Sequence, residues 1–267
     1  MYPWWEVAAV TRLLGADTVR MYHSKCFSMC LVGMLIMAVG FLIMQGTAMD
    51  YTVPLSRVIF LPMSFYGVAA AALISMFVGE DFSDGFIRNK LIAGRSRKAV
   101  FLSTLMVCLT ACVVIYLITT GFTCFAGSFF FEVDITYMDF VRHLLLGILT
   151  GLAYGSIFCT VTTLVGKKAS AVLICMGLAF GMLFSSLHTN QVMVQPEYKN
   201  GMLNPHYVGG SLKAVYALLH DWNPTGQAAQ LSAMHIFHSV RWIACDLGWM
   251  LVAAVLGTAL FRRADIR

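Results

Sequence analysis

Six apolar runs, separated by short polar stretches and carrying a single charged residue, Asp246 in the sixth, organise this chain. They cover about 27–44, 58–78, 99–124, 144–165, 169–187 and 242–261. Each reaches or approaches the ~20 residues that a helix needs to cross a ~30 Å hydrocarbon core. The pattern predicts an all-α integral membrane protein, with six transmembrane helices in a single domain over 1–267. At 59% hydrophobic and 12% charged residues, a soluble core of this size is excluded.

The polar stretches differ in charge. Arg12, Arg20, Lys25, Arg88, Lys90, Arg95, Arg97, Lys98, Lys167, Lys168, Arg262, Arg263 and Arg267 fall on one side of the six runs. Arg57, Arg142, Lys199, Lys213 and Arg241 fall on the other. Thirteen against five is a positive-inside bias, which places both termini in the cytoplasm. Attraction to an anionic membrane face accounts for the net charge of +5 without a nucleic-acid partner.

Residues 1–25 mix Trp4, Trp5, Val7, Val10, Leu13 and Leu14 with Glu6, Arg12, Asp17 and Arg20. A cleaved signal has a charged start followed at once by an apolar core. The mixture instead predicts an amphipathic helix lying in the membrane interface. A large outer region, 188–241, precedes the last run. Within it, 212–220 and 225–238 have helical apolar spacing and predict short helices on or dipping into the outer membrane surface. The outer segments 49–56 and 129–139 and the inner turn at 166–168 complete the connections.

Cysteine and histidine change this picture little. Cys26, Cys30, Cys108, Cys112, Cys159, Cys175 and Cys245 lie in or beside the spans, where a free thiol serves as a small hydrophobe. His235 and His238, with His188, His206 and His220 in the same region, come nearest to ligand spacing, but no metal site is predicted. No His-Glu-x-x-His and no Gly-x-x-x-x-Gly-Lys-Ser/Thr phosphate loop occurs, so no catalytic residue is assigned. Acids in mid-span mark many proton-coupled carriers. The only one within a run, Asp246, is expected at the outer start of the sixth, within reach of water. Gly147, Gly151 and Gly155, and Gly177 and Gly181, predict close helix contacts, chiefly within the subunit.

The densest polar segment is 80–98. Glu80, Asp81 and Phe82 open it, Ser83 or Asp84 is placed to cap a helix, and Gly94 to end one. Between them Phe86, Ile87, Leu91 and Ile92 share a face, flanked by Arg88 and Lys90. The spacing predicts a short amphipathic helix along the cytoplasmic membrane face, offering an apolar ridge to a soluble partner.

This segment resembles the loop of type-two ATP-binding-cassette permeases that follows their first helical pair. Those proteins show an acid-rich start, Gly-Thr-Ile-Arg-Asn and then Ser-Arg. This chain has Gly85-Phe86-Ile87-Arg88-Asn89, then Gly94-Arg95-Ser96-Arg97, with Phe86 in place of the frequent threonine. The amphipathic leader, six spans, large outer loop, Asn223-Pro224 and the closing stretch Phe261 to Ile266 extend the resemblance over the chain.

The resemblance implies a permease subunit of an ABC exporter in a bacterial cell membrane. It implies pairing with a second copy or a paralogous permease, and two cytoplasmic ATPase subunits that bind the ATP and magnesium. Glu80, Asp81, Phe82, Phe86, Ile87, Arg88, Lys90 and Leu91 are then the ATPase-coupling residues. The chain itself is expected to be no enzyme and to hold no cofactor. Gln45, Tyr116, Thr119, Thr120, Ser156 and Thr160 are the candidate pathway residues. Uncharged and partly apolar, they suit a drug, an antimicrobial peptide or another amphipathic cargo. An ATP-independent secondary transporter, or a small-molecule-binding membrane protein, is the alternative.

Overall fold

The computed structural model describes residues 4–48, 53–199, 202–205, 207–236 and 238–263. In chain order the helices are α1 (Trp4–Tyr22), α2 (Lys25–Ala48), α3 (Ser56–Ile59), a 3-10 turn (Leu61–Phe65), α4 (Tyr66–Ser83), α5 (Phe86–Ile92), α6 (Arg97–Gly127) and α7 (Tyr137–Val165). They continue with α8 (Lys168–Val194), α9 (Gly210–Trp222), α10 (Pro224–Ser232) and α11 (Ser239–Arg263). Two residues on each side, Tyr198–Lys199 (β1) and Met202–Leu203 (β2), pair antiparallel.

Six helical segments are long and apolar enough to cross a membrane: Lys25–Thr47, Ser56–Ser83, Arg97–Gly127, Tyr137–Val165, Lys168–Val194 and Ser239–Arg262. Every predicted run lies inside one of them. The helices run further than the apolar runs because a helix continues until something stops it. At its start α7 takes in Asp139 and Arg142, whose charges end the run but not the helix. The second segment is jointed: Pro62 lacks an amide hydrogen and stands at the start of the 3-10 turn between α3 and α4.

Packing divides the helices. α4, α6 and α7 form the centre, with Tyr66, Tyr116 and Tyr154 among the largest fully buried side chains. α2, α8 and α11 turn broad apolar faces outward, as at Met29, Ile36, Leu173, Phe184, Leu251 and Val255. That inversion is what a lipid solvent permits, since a tail is as apolar as leucine. The α7 glycines work inside the subunit. A Cβ on Gly147 would strike the Tyr116 ring, and one on Gly155 would sit 3.0 Å from Leu109. A Cβ on Gly177 or Gly181 of α8 would meet nothing within 4 Å among the described residues.

Several expectations are corrected. Ser83 belongs to α4 and Asp84 closes it, so neither caps α5, whose start is Gly85 in the left-handed region at φ 72°. The acids Glu80 and Asp81 therefore sit at the end of α4, where the helix dipole disfavours them, instead of opening α5, where it would favour them. The helix expected over 225–238 stops at Ser232, and the chain turns at Met234, φ 53°. α10 is not a surface helix: Pro224, Gln227, Ala228, Gln230 and Leu231 are all buried. Asp246 does not reach water; it is wholly buried. Positions 49–52, His206 and the terminal stretch from Ala264 lie outside the described residues.

Candidate functional site

The predicted coupling segment sits at one end of the bundle, and α1 holds it there. Lys90 of α5 donates to both carboxylate oxygens of Asp17, at 2.8 and 2.7 Å, and Ser103 of α6 adds a third hydrogen bond at 3.2 Å. Arg20 donates to Asp81 at 2.5 Å and lies over the rings of Phe77 and Phe86, at 4.9 and 4.7 Å. Lys168, opening α8, bonds Glu80 at 2.8 Å. These bases supply the positive charge that the acidic end of α4 lacks. Asp17 and Asp81 are buried, so each pair works in a medium that screens little.

This clasp engages three of the predicted coupling residues. Glu80, Asp81 and Lys90 make ion pairs within the chain, and Lys90 is largely buried. Ile87 is 2% exposed and faces the bundle, while Phe82 and Leu91 are half-buried against it. The expected single ridge is split. Phe86 and Ile92 remain outward, with Arg88 and Asn89 exposed between them. Ser96 caps α6 by accepting from the Ala99 amide at 3.2 Å, so α5 is fixed from both directions.

The candidate pathway residues fall into two groups. Tyr116, Thr119 and Thr120 line a cavity of about 10 Å³ with Met34, Phe60 and Tyr66, room for about one water. Ser156 donates to the Ala153 carbonyl, and Thr160 to those of Ser156 and Ala253, at the contact of α7 with α11. Gln45 is half-buried on α2 and lines no part of that cavity. Three of the six residues thus share one small cavity, two lie at the α7–α11 contact and one lies on α2. A larger space is apolar: a groove of about 490 Å³ between α2 and α4, lined by Cys26, Cys30, Met34, Met37, Ala69 and Met76 among others. The methionines along 29–37 are the sequence signal for it.

The opposite end holds a polar cluster that sequence reasoning missed. Asn223 caps α10, accepting from the Thr225 amide at 3.0 Å, and Pro224 occupies the first turn, where a missing amide hydrogen costs nothing. Gly226 lies so close to the His220 carbonyl that a Cβ has no room. Asp221 then accepts from Gln230 at 2.9 Å and Arg241 at 3.3 Å. Gln227 donates to the Asp221 carbonyl at 2.8 Å and accepts from Thr150 at 3.1 Å. Thr150 accepts from Trp242 at 3.0 Å, and Tyr154 shares a hydrogen bond with Thr225 at 2.7 Å. His220, against Thr189 at 3.0 Å, has its pKa lowered by burial, partly opposed by Asp221.

Nearby, an open space of about 380 Å³ is lined by Asp134, Asp139, Arg142, His143 and His235 among others. Burial pushes the Asp134 carboxyl up, but hydrogen bonds from the Ser56 hydroxyl and amide outweigh it and hold the group below its ordinary value. Among the described residues no three His, Cys, Asp or Glu side chains are grouped to hold a metal. All eight cysteines are free.

A comparison with protein-family models matched none, and a comparison with curated proteins found no relative.

Proposed function

We propose that this chain is the membrane-spanning permease subunit of an ATP-driven exporter of the type-two ATP-binding-cassette class. The observation that carries the reading is α5: a seven-residue helix standing at the bundle end, clamped to α1 by the buried Lys90–Asp17 pair, as α1 is to α4 by Arg20–Asp81, with Phe86, Arg88, Asn89 and Ile92 left outward. A connector needs no such anchorage. A lever that transmits force from a soluble motor does, because a loosely held helix would absorb the motion.

In this reading the α5 end faces the cytoplasm of a bacterial cell membrane, with both termini on that side, as the lysine and arginine bias requires. α1 is the interfacial helix, and α9 and α10 belong to the outer region. A separate ATPase, in two copies, binds the ATP and magnesium, and a second permease completes the passage. The apolar groove between α2 and α4 suits an amphipathic cargo, a drug or a peptide.

The test is copurification with the ATPase after charge is placed on the outward face of α5. Phe86→Asp and Ile92→Asp should abolish retention of the ATPase in mild detergent while the permease still inserts. Normal retention in both variants would reduce α5 to a connector. One observation favours the alternative, an ATP-independent carrier: Asp246, an acid buried within a span.

A further inference from the structure

Among the described residues four aspartates are buried, and three of them have a base. Asp17 has Lys90, Asp81 has Arg20 and Asp221 has Arg241. Asp246, on α11, has none. It is wholly buried, and neither carboxylate oxygen accepts a hydrogen bond.

The donors that approach it, Gln227 of α10 and Trp242 one turn earlier on its own helix, stand outside good hydrogen-bond geometry to either oxygen. Both are already committed. The Trp242 indole hydrogen goes to Thr150 at 3.0 Å. Gln227 spends one of its two amide hydrogens on the Asp221 carbonyl at 2.8 Å. Thr150 has a single hydrogen, directed between the Leu146 carbonyl and Gln227 Oε1, each at 3.1 Å. At most one donor therefore remains for two carboxylate oxygens. Burying an ion so poorly solvated costs several kcal/mol on general grounds. A neutral acid has a different need, one acceptor for its O–H, and Gln227 Oε1 offers a spare lone pair.

The surroundings set no charge against a proton there. Tyr154 of α7 and Cys245 of α11 are the titratable groups that sense Asp246 most directly. From α9, His220 and Asp221 stand nearby, Asp221 with its charge held by Arg241. α10 contributes neutral amides. α6 meets α11 at the other end, where Arg97 bonds the Phe261 and Arg262 carbonyls and Phe101 packs on Phe261.

We propose that Asp246 is a proton-binding site. The side chain is held as the neutral acid in the packed bundle and exchanges its proton with water at the α9–α10 end. Polar groups mark the route for that exchange: Gln227 donates to the Asp221 main-chain carbonyl, and the Asp221 carboxylate faces Arg241 and His238, whose ring lies 3.9 Å away and is half-exposed, so water entering along them carries the proton. Only an O–H bond forms or breaks, and the proton comes from and returns to solvent. Loss of the proton leaves a bare carboxylate at the α10–α11 seam, so ionisation requires water to enter there. Occupancy by a proton and closure of the seam are thereby linked. This inference does not rest on the exporter reading and holds for either kind of carrier.

Infrared spectroscopy of the full chain in lipid nanodiscs at neutral pH tests it without substrate or ATPase. The spectrum should contain the carbonyl stretch of a protonated carboxyl, and heavy-isotope labelling of the aspartate carboxyls should shift it. Asp246→Asn should remove the band. Should that variant fail to fold, Asp246→Glu serves instead: the band should persist but no longer respond to the aspartate label. Sodium or potassium chloride added at fixed pH should leave the band unchanged. The proposal is overturned by a spectrum with no label-sensitive band. It is equally overturned by a band that survives in Asp246→Asn or still follows the aspartate label in Asp246→Glu. A band that sodium or potassium abolishes makes the site one for a metal cation and also overturns it.

Discussion

The two ends of this bundle bury polar groups by opposite means. At the α5 end, ions are buried with ions: Lys90 on Asp17, Arg20 on Asp81, and Lys168 on the less buried Glu80. At the α10 end, one ion pair, Asp221 with Arg241, sits among amides and hydroxyls, and Asp246 has no base at all. The first arrangement resists separation, because parting any pair strands a charge. The second can exchange a proton with water that enters it, without parting an ion pair. In a transporter the rigid end suits transmission of force and the adaptable end suits gating.

The clearest way to break the comparison is to strand a charge at the rigid end. Lys90→Ala leaves Asp17 buried with Ser103 as its main remaining partner and Arg20 at 3.8 Å. The loss should be on the order of 3 kcal/mol or more, as for other buried pairs missing one member. Thermal unfolding of the purified protein in detergent checks it. Adding Asp17→Asn should recover part of the loss, since the stranded charge is then gone. A Lys90→Ala protein as stable as the parent would show that the clasp is solvated, and the contrast between the ends would fail.

How much of this was legible in the sequence follows from the range of each interaction. The six spans depend on local composition, and each predicted run lies within one helical segment, the second of them jointed. The clasp joins residues 61, 73 and 88 positions apart, so no local pattern announces it. One local sign existed: Asp17 shares a helix face with Leu14 and Met21, at spacings of three and four, both packed on the core. An acid on an apolar face signals a buried partner. Asp246 carries the same sign, four residues after Trp242 and seven before Ala253, both buried. Judged by its distance from the apolar run's edge, it was expected near water; judged by its helix face, it belongs inside. Ile87 misled for the related reason that one apolar face on a short helix cannot say whether its own bundle or a partner covers it.

The adaptable end should yield to a steric change more than to an electrostatic one. Gly226→Ala would drive a methyl into the His220 carbonyl, which is backbone and cannot swing aside. The cost should be about 1–3 kcal/mol, as for overpacked interiors. The displacement should pass to Gln227, whose amide holds the Asp221 carbonyl at 2.8 Å. Thermal unfolding measures the loss. Hydrogen exchange of α9 and α10 should rise in the variant while that of α5 stays as in the parent. Equal rises at both ends would mean that the two regions are one cooperative unit.

The smallest effect is a titration at the adaptable end. Burial lowers the pKa of His220, with Asp221 opposing. The unfolded chain takes up a proton near the ordinary histidine value of about 6.5, whereas the folded chain does so only at lower pH. Below about 6.5 the unfolded state therefore binds more protons, and stability falls as pH falls until the folded group also titrates. Above that value His220 adds no pH dependence. His220→Gln, which keeps a polar side chain facing Thr189, should flatten the decline in melting temperature between about pH 6.5 and 5. The shift should be a few degrees at most, because Asp221 offsets part of the desolvation. The Asp134 carboxyl, held below its ordinary value, adds its own loss only at more acidic pH, under about 4, so the two are separable. A slope unchanged by His220→Gln would place the titration elsewhere and leave the adaptable end without its pH response.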